Sequence, residues 1–431
     1  MGPDQPIRPV FDRTDRQFAA ELFEAVRKIS AARVGVTRPS YSEVETEAMG
    51  VLAEAARGAG LDTRRDAAAN LVIEIAGAPV GKPAYWMGSH LDSVPEGGNF
   101  DGLAGVVAGL LCLAKAKRLG AALDRPLAVL GLRGEESAWF GKPYLGSYAL
   151  FGKLSARDLE RPQRDTGRPL GEYLEKAGAD VRSIAAGEPL VEAQAIGAWL
   201  ELHIEQGPIM VARQAPVGVV TGIRGNLRHI AARCRGAAGH SGAVPRWLRR
   251  DAVFGLAELL MRLDDSWQAL NARGVDLVVT SGIVGTDPRE HSVSRIPGEV
   301  GFSLEIRSQS LETLEAFYQL VLVESAGTEK SRGVKFEFGE RILSEPGLID
   351  REWAARLRRI CGELQYPFID IPSGAGHDAA VFANQGIPAG MIFIRNESGS
   401  HNPDEKMELD DFMMGAEVLY QALTGEAQAL R

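Results

Sequence analysis

The sequence has little cysteine. Its three cysteines, Cys112, Cys234 and Cys361, are odd in number and stand at no metal-like spacing. That excludes a disulfide framework and a thiolate-held metal, and fits small side chains in a reducing cytosol. Any metal must therefore be held by histidine and carboxylate. Basic charge is also short: 48 Lys and Arg face 57 Asp and Glu, a formal net charge of −9. Nucleic acid and anionic lipid both require a basic face, so neither is expected as a partner. No uninterrupted apolar run reaches the roughly 18–20 residues of a membrane span. The N-terminus, with Asp4, Asp12 and Asp15 among prolines, lacks the basic-then-apolar layout of a signal peptide. The expectation is a cytoplasmic protein. Histidine is scarce too, at seven residues, so each can be weighed.

At 431 residues the chain exceeds one compact core, and its 45% hydrophobic and 24% charged residues are those of a globular protein. Apolar residues at three- and four-residue intervals predict amphipathic helices over 16–32 and 42–59. Leu71 to Ile75 and Ala84 to Met87 read as short buried strands, split by the turn-rich Gly77-Ala78-Pro79 and Gly81-Lys82-Pro83. The Ala/Leu/Val-rich stretch Leu103 to Lys117 packs on a sheet, and Leu127 to Leu132 is a strand ending in Arg133-Gly134-Glu135-Glu136. This alternation predicts an α/β layer with a mostly parallel sheet flanked by helices. Residues 153–195 read as a polar helical insertion, and Ala198 to His203 as the next strand. Composition shifts near Arg213-Gln214-Ala215-Pro216. Beyond it, strand 226–235, helix 249–263, strands 276–284 and 298–306, helix 310–325 and strand 333–338 give the βαββαβ order of a small ferredoxin-like domain. Helix 350–364, strand Gly390 to Ile394 and helix 409–423 return to the first layer. The expected division is 1–214 with 342–431 for the larger domain, and 215–341 inserted in it.

Chemistry concentrates in the run from Met87 to Gly102. There His90 stands two residues before Asp92, and Asp101 follows nine residues later between Phe100 and Gly102. Imidazole plus carboxylate at a strand end suits a borderline-hard divalent cation such as zinc. One histidine and two aspartates do not complete a hydrolytic site, so other donors must come from elsewhere. His203 and His401 each follow an apolar strand or lie in a Gly/Ser/Asn/Pro-rich loop. His240 in Gly239-His240-Ser241-Gly242, and His377 in Ser373-Gly374-Ala375-Gly376-His377-Asp378, are flanked by the glycines that let backbone approach a ligand. His229 and His291 have no comparable setting. Taken singly, a loop histidine is more often hydrogen-bonded or solvated than a ligand, and Glu135-Glu136 more often a solvated pair. At the end of an apolar strand, however, adjacent carboxylates repel unless cations or a shared proton offset their charge.

Taken jointly, these motifs resemble the M20-type dinuclear metallohydrolases. Within them the chain is similar to the hydantoinase/carbamoylase group: N-carbamoyl-L-amino acid hydrolases, β-ureidopropionases and allantoate amidohydrolases. The carriers, in order, are Gly88-Ser89-His90-Leu91-Asp92-Ser93-Val94-Pro95, Phe100-Asp101-Gly102, Glu135-Glu136, Glu201-Leu202-His203-Ile204-Glu205-Gln206-Gly207 and Gly239-His240-Ser241-Gly242. Pro297-Gly298-Glu299, Ile306-Arg307-Ser308, Ser373 to Asp378 and Ser400-His401-Asn402-Pro403 complete the set. The resemblance implies two divalent ions, zinc first, with manganese, cobalt and nickel as the other candidates. His90 and His203 would hold one ion, Glu136 and His401 the other, and Asp101 would bridge them. Asp92 would fix the His90 tautomer. Glu135 would shuttle a proton from the attacking water to the leaving nitrogen. His240 would stabilise the oxyanion, in the family from across a dimer interface. The small domain would then be both lid and dimerisation module of a homodimer. Gln206, Arg228, Ser294, Arg307 and His377 match positions that contact a small, carboxylate-bearing substrate.

Two departures bear on the substrate. Ser294 stands where the family usually has an asparagine, and Ser137-Ala138-Trp139-Phe140 stands where a small residue, a serine and an arginine precede the aromatic. Trp139 suggests a substrate with an apolar or aromatic side chain. The resulting expectation is a hydrolase acting on the C–N bond of an N-carbamoyl amino acid or related ureido or amide compound. An M20 aminoacylase or dipeptidase, acting on N-acyl amino acids, shares the metal core but usually lacks the Gln206 and His377 motifs. A non-catalytic binding protein on the same fold would have lost a ligand or the base, and none is lost here.

Overall fold

The computed structural model describes residues 8–77 and 81–429. Asp4 and the turn residues Ala78-Pro79 lie outside them. The described chain divides into two compact units, Met1–Thr221 with Leu348–Arg431, and Gly222–Gly347.

The first unit is built on an eight-stranded sheet. Its order is Asp62–Arg65, Leu71–Glu74, Leu127–Leu132, Ala84–His90, Ile196–Ile204, Ala389–Ile394, Val217–Ile223 and Phe368–Ser373. The four central strands run parallel, and both Leu71–Glu74 and Val217–Ile223 pair antiparallel with that core. Every residue of Leu127–Leu132 and of Ala389–Ile394 is buried, because helices cover both faces of a parallel sheet and leave no solvent side to alternate with. Leu103–Leu119 packs on this core and is apolar nearly all round for the same reason. The amphipathic helices Arg13–Ile29 and Glu43–Gly58 are started by caps: Asp12 accepts from the Thr14 and Asp15 amides, and Ser42 from that of Glu45. Buried Lys115 ties the first helix down through Asp15 at 2.8 Å.

Three strands are hidden from the sequence pattern. Asp62–Arg65 is a polar edge strand. Phe368–Ser373 carries Pro372, which confines it to the other edge. Val217–Ile223 follows the composition shift directly yet continues the large sheet, which is why the first unit reaches Thr221, seven residues beyond the expected boundary. Residues 153–195 hold only the short helices Ala156–Leu159, Leu170–Ala177 and Val181–Ala185, with a 3-10 turn at Ala193–Ala195.

The second unit is an antiparallel sheet under two helices. Val284–Gly285 and Val278–Thr280 pair with Glu299–Ser308, which pairs with Gly225–Arg235, and that strand takes Lys335–Glu337 and Ile342–Ser344 on its far side. Ala252–Asn271 and Leu311–Arg332 pack on one face over Leu227, Phe302, Leu304 and Ile306, with Phe317 of the second helix in the same core. The strand–helix–strand–strand–helix–strand order is that of the ferredoxin-like layout. The expected strand 276–284 is split into two pieces, both paired to the same neighbour.

Candidate metal centre

In a sheet with a parallel core, side chains that meet a ligand gather beyond the carboxyl ends of the strands. His90 ends Ala84–His90, His203 is the penultimate residue of Ile196–Ile204, and Glu135-Glu136 follow Leu132 by three and four residues. His401 lies seven residues beyond Ile394, and Asp101 two residues before the helix at Leu103. All five expected donors thus belong to one unit and one end of its sheet. They form two groups that share Asp101: His90, Asp101 and His203, and Asp101, Glu136 and His401.

Asp101 faces both ways. Its Oδ1 lies 3.3 Å from His90 Nε2 and 3.1 Å from His203 Nε2, yet this buried oxygen closes no hydrogen bond. Its Oδ2 lies 3.5 Å from His401 Nε2, which is 3.2 Å from Glu136 Oε1. Gln206 Nε2 donates to Oδ2 at 2.8 Å, and the Ser400 hydroxyl donates to it too. The other ring nitrogens are committed elsewhere. His203 Nδ1 lies 2.9 Å from the Ile204 carbonyl, and His90 Nδ1 lies 3.1 Å from that of Asp92. Both Nε2 atoms therefore point at the orphaned carboxylate oxygen.

The Asp92 carboxylate gathers more than one imidazole. Its Oδ1 lies 3.4 Å from His90 Nδ1, and its two oxygens accept the Glu135 and Glu136 amides, each at 3.1 Å. Ser40 Oγ completes it at 2.6 Å. One buried carboxylate thus sets the direction of both glutamates. Gly102 adopts φ +67°, and a Cβ there would overlap the His90 ring, so only glycine allows the Asp101 turn beside that histidine. Arg133, just before the glutamates, is anchored by Glu45 at 2.6 Å in a fully buried pair.

Charge is unbalanced in this cluster. Burial alone would lower the His90 pKa, but Asp101 and Asp92 hold it well above the usual histidine value. Hydrogen bonding to Glu136 raises His401 to about 9. Burial lifts the Glu135 carboxyl well above its usual range against the pull of His90, and lifts Glu136 as well. Asp101 raises His203 as well, against its burial. Three imidazoles driven toward the cation and two carboxyls driven toward the neutral acid describe a donor set short of positive charge. Divalent cations supply that charge, and the donors are imidazole nitrogen and carboxylate oxygen, so the residues fit such ions.

Glu135 lies 3.9 Å from His90 Nε2 with its side chain 12% exposed. Gln206, at φ +62°, leaves its Oε1 without a hydrogen-bond partner. His377 is buried edge-on against the His203 ring, with centroids 4.5 Å apart, and its Nε2 meets Ser373 Oγ at 2.8 Å. The remaining expected residues belong to the second unit. Exposed His240 sits on Gly239–His240, paired with Arg295–Ile296, and the Ser241 amide donates to the Ser294 carbonyl at 2.8 Å, so His240 and Ser294 are neighbours. Arg228 and Arg307 lie on adjacent strands and share Glu305: Arg228 pairs with it directly, and Arg307 Nε lies 3.0 Å away.

Trp139 departs from its expected part. It is 2% exposed, and its indole N–H donates to the Ser93 carbonyl at 2.8 Å. A side chain buried to that extent offers no surface to a ligand, so it gives no reason to expect an aromatic substrate. Sequence reasoning does not reach four other residues. Glu201, two residues before His203 on the same strand, accepts from Ser89 Oγ at 2.7 Å and from the Ala379 amide at 2.8 Å. Glu305 is the acid between the two arginines. Fully buried Arg38 reaches the Leu91 carbonyl at 2.8 Å and Asn99 Oδ1 at 3.1 Å, and burial lowers its pKa to about 10. Glu405 holds the backbone at Phe100 and Asp101. Only Glu201 had a signal, its period-two spacing from His203.

Known proteins resemble this chain over most of its length. Residues 86–425 match the family described as peptidase family M20/M25/M40. The chain is 34% identical, over 91% of its length and 94% of the relative's, to an N-carbamoyl-L-amino acid amidohydrolase of Geobacillus stearothermophilus. It is 29% identical, over 89% of its length and 91% of the relative's, to an allantoate amidohydrolase of Escherichia coli. A solved hydantoinase/carbamoylase family amidase from Burkholderia ambifaria superposes with a TM-score of 0.82 at 29% identity, covering 96% of this chain and 98% of that one. The chain therefore belongs to the M20/M25/M40 peptidase family, and within it to the hydantoinase/carbamoylase group.

Proposed function

We infer that the chain is a metal-dependent amidohydrolase cleaving the C–N bond of an N-carbamoyl amino acid or a related ureido or amide compound that bears a carboxylate. The observation that carries this reading is the pair of donor groups sharing Asp101, with Glu135 beside them. His90 and His203 are assigned to one divalent ion, Glu136 and His401 to the other, and Asp101 to both. Zinc is the first choice, with manganese, cobalt and nickel as alternatives of similar donor preference. Bound there, such ions lower the pKa of a water molecule and polarise the scissile carbonyl.

The chain's own groups do the rest. Glu135 takes the proton of the attacking water and delivers it to the leaving nitrogen. Gln206 Oε1, an acceptor without a partner, is assigned to a ureido N–H of the substrate. His377 is assigned to holding the His203 ring rather than to the substrate. Arg228 and Arg307, kept side by side by Glu305, suit a planar carboxylate. His240 is assigned to the developing oxyanion, with Ser294 beside it.

The test is an ammonia and CO₂ assay on protein reconstituted with Zn²⁺ or Mn²⁺. The panel holds N-carbamoyl-phenylalanine, N-carbamoyl-β-alanine, allantoate and N-acetyl amino acids. Ammonia and CO₂ in equal amounts from a carbamoyl substrate are expected, with no advantage for the aromatic one. A carboxylic acid released without ammonia, and from the acyl compounds alone, would mean an aminoacylase and overturn this reading.

The second unit is also assigned to a lid and to homodimerisation. Trp247, Leu248 and Phe254 are 81%, 56% and 57% exposed, three large apolar side chains left open to solvent that a partner could cover. They share a groove with Ser241 and Gly242, next to His240. Sedimentation is expected to give a dimer, and the Trp247→Glu/Phe254→Glu variant a monomer. A monomeric parent protein would remove the assignment. Among the described residues no helix is long and apolar enough to cross a membrane, and a cytoplasmic location belongs to the same proposal.

A further inference from the structure

We propose that Glu405 is a positioning residue whose carboxylate fixes the Asp101 turn and ties it to the loop carrying His401. The proposal rests on the two-ion reading above.

Glu405 is buried, and its Oε1 accepts from the Phe100 amide at 2.7 Å and the Asp101 amide at 3.3 Å. These bonds join positions more than 300 residues apart in sequence. The turn is closed down on this carboxylate, since a Cβ at Gly98 would overlap the Glu405 carboxyl carbon. Glu405 stands four residues after His401, on a loop with its own internal bonds. Its amide donates to the Asn402 carbonyl at 3.4 Å, and Asn402 Nδ2 donates to the Ser398 and Ser400 carbonyls at 2.8 and 3.1 Å. That loop therefore meets Asp101 three times: Glu405 on its amide, Ser400 on Oδ2, and His401 Nε2 at 3.5 Å from Oδ2.

A carboxylate buried beside Asp101 is unfavourable by itself, and its second oxygen closes no hydrogen bond. An apolar side chain would remove that cost but leave the Phe100 and Asp101 amides without their acceptor. What Glu405 contributes is an acceptor at the one place that registers the shared donor, Asp101, against His401. An acceptor is what this place requires, and the negative charge is incidental.

The test titrates Co²⁺ into metal-free protein, with no substrate present, and records affinity, stoichiometry and the visible absorption of the bound ion. Glu405→Leu is expected to bind Co²⁺ about 10–100-fold more weakly, the usual cost of losing an outer support, with an altered spectrum. Glu405→Gln keeps an acceptor oxygen at the same reach and is expected to restore parental affinity and spectrum. Glu405→Asp, too short to reach both amides, is expected to behave like Glu405→Leu, and it decides the matter if circular dichroism shows that the leucine variant does not fold. Parental affinity and spectrum in Glu405→Leu, or in Glu405→Asp where the leucine variant does not fold, overturns the positioning role, as does equal weakening in Glu405→Gln. A parental protein that takes up fewer than two ions per chain overturns the two-ion reading instead, so the two failures are distinguishable.

Discussion

Replacing Glu135 with glutamine is expected to lower kcat by about 10²–10⁴-fold, the usual contribution of a general base, while leaving metal content unchanged. The substitution is nearly isosteric, and the main chain at this position is held independently of the side chain by the bond from its amide to Asp92 Oδ1 at 3.1 Å. The loop and the Glu136 direction should therefore survive, and only the ability to accept a proton is removed. The competing possibility is that Glu135 is itself a ligand, since it can group with His90 and Glu136. In that case the glutamine variant would lose an ion together with activity. Metal analysis beside the ammonia assay separates the two. Retention of more than about 5% of parental kcat, well above what loss of a general base allows, would remove Glu135 from the proton-transfer role.

The parts of this site that were legible in the sequence are those where two patterns coincide. His90, Glu135-Glu136 and His203 each close or follow an apolar strand, and a parallel core places such positions at one end of the sheet. Periodicity gave the strand and residue type gave the chemistry. The supporting residues lack that coincidence. Arg38 stands more than 50 residues from Leu91 and more than 60 from Asn99, in a stretch with no periodic pattern, and only the folded chain shows that it bridges them. Glu405 reads as one more acid in a polar loop. Trp139 was misleading because a large aromatic near predicted ligands suggests a pocket wall, whereas its N–H and ring are both used up inside the protein. In the second unit, alternation was enough for the long strands Gly225–Arg235 and Glu299–Ser308. It could not resolve the split at Val278–Thr280 and Val284–Gly285, where a few exposed residues pair with a neighbour already fixed. Edge strands are specified mainly by that neighbour, so their own sequence says little.

Asp101→Asn should have a different signature: loss of both ions, at least about 100-fold in affinity for each, and no measurable turnover. The side chain keeps its size, so the turn and its two amide bonds to Glu405 should persist. What changes is charge and donor character. Oδ1 now faces two imidazole nitrogens with no bond to either, and an amide at that position offers them either a neutral oxygen or a repelling N–H₂. Burial resists ionisation of Asp101, yet His203 and His90 hold its pKa well below the usual range, so the substitution replaces a charged side chain with a neutral one. His401→Ala is the control. His401 joins only the second donor group, and its side chain is 52% exposed, so its loss should leave one ion bound through His90, Asp101 and His203. Elemental analysis is therefore expected to give two ions per chain in the parent, one in His401→Ala and none in Asp101→Asn. One ion retained in Asp101→Asn would show that Asp101 belongs to one ion rather than to both.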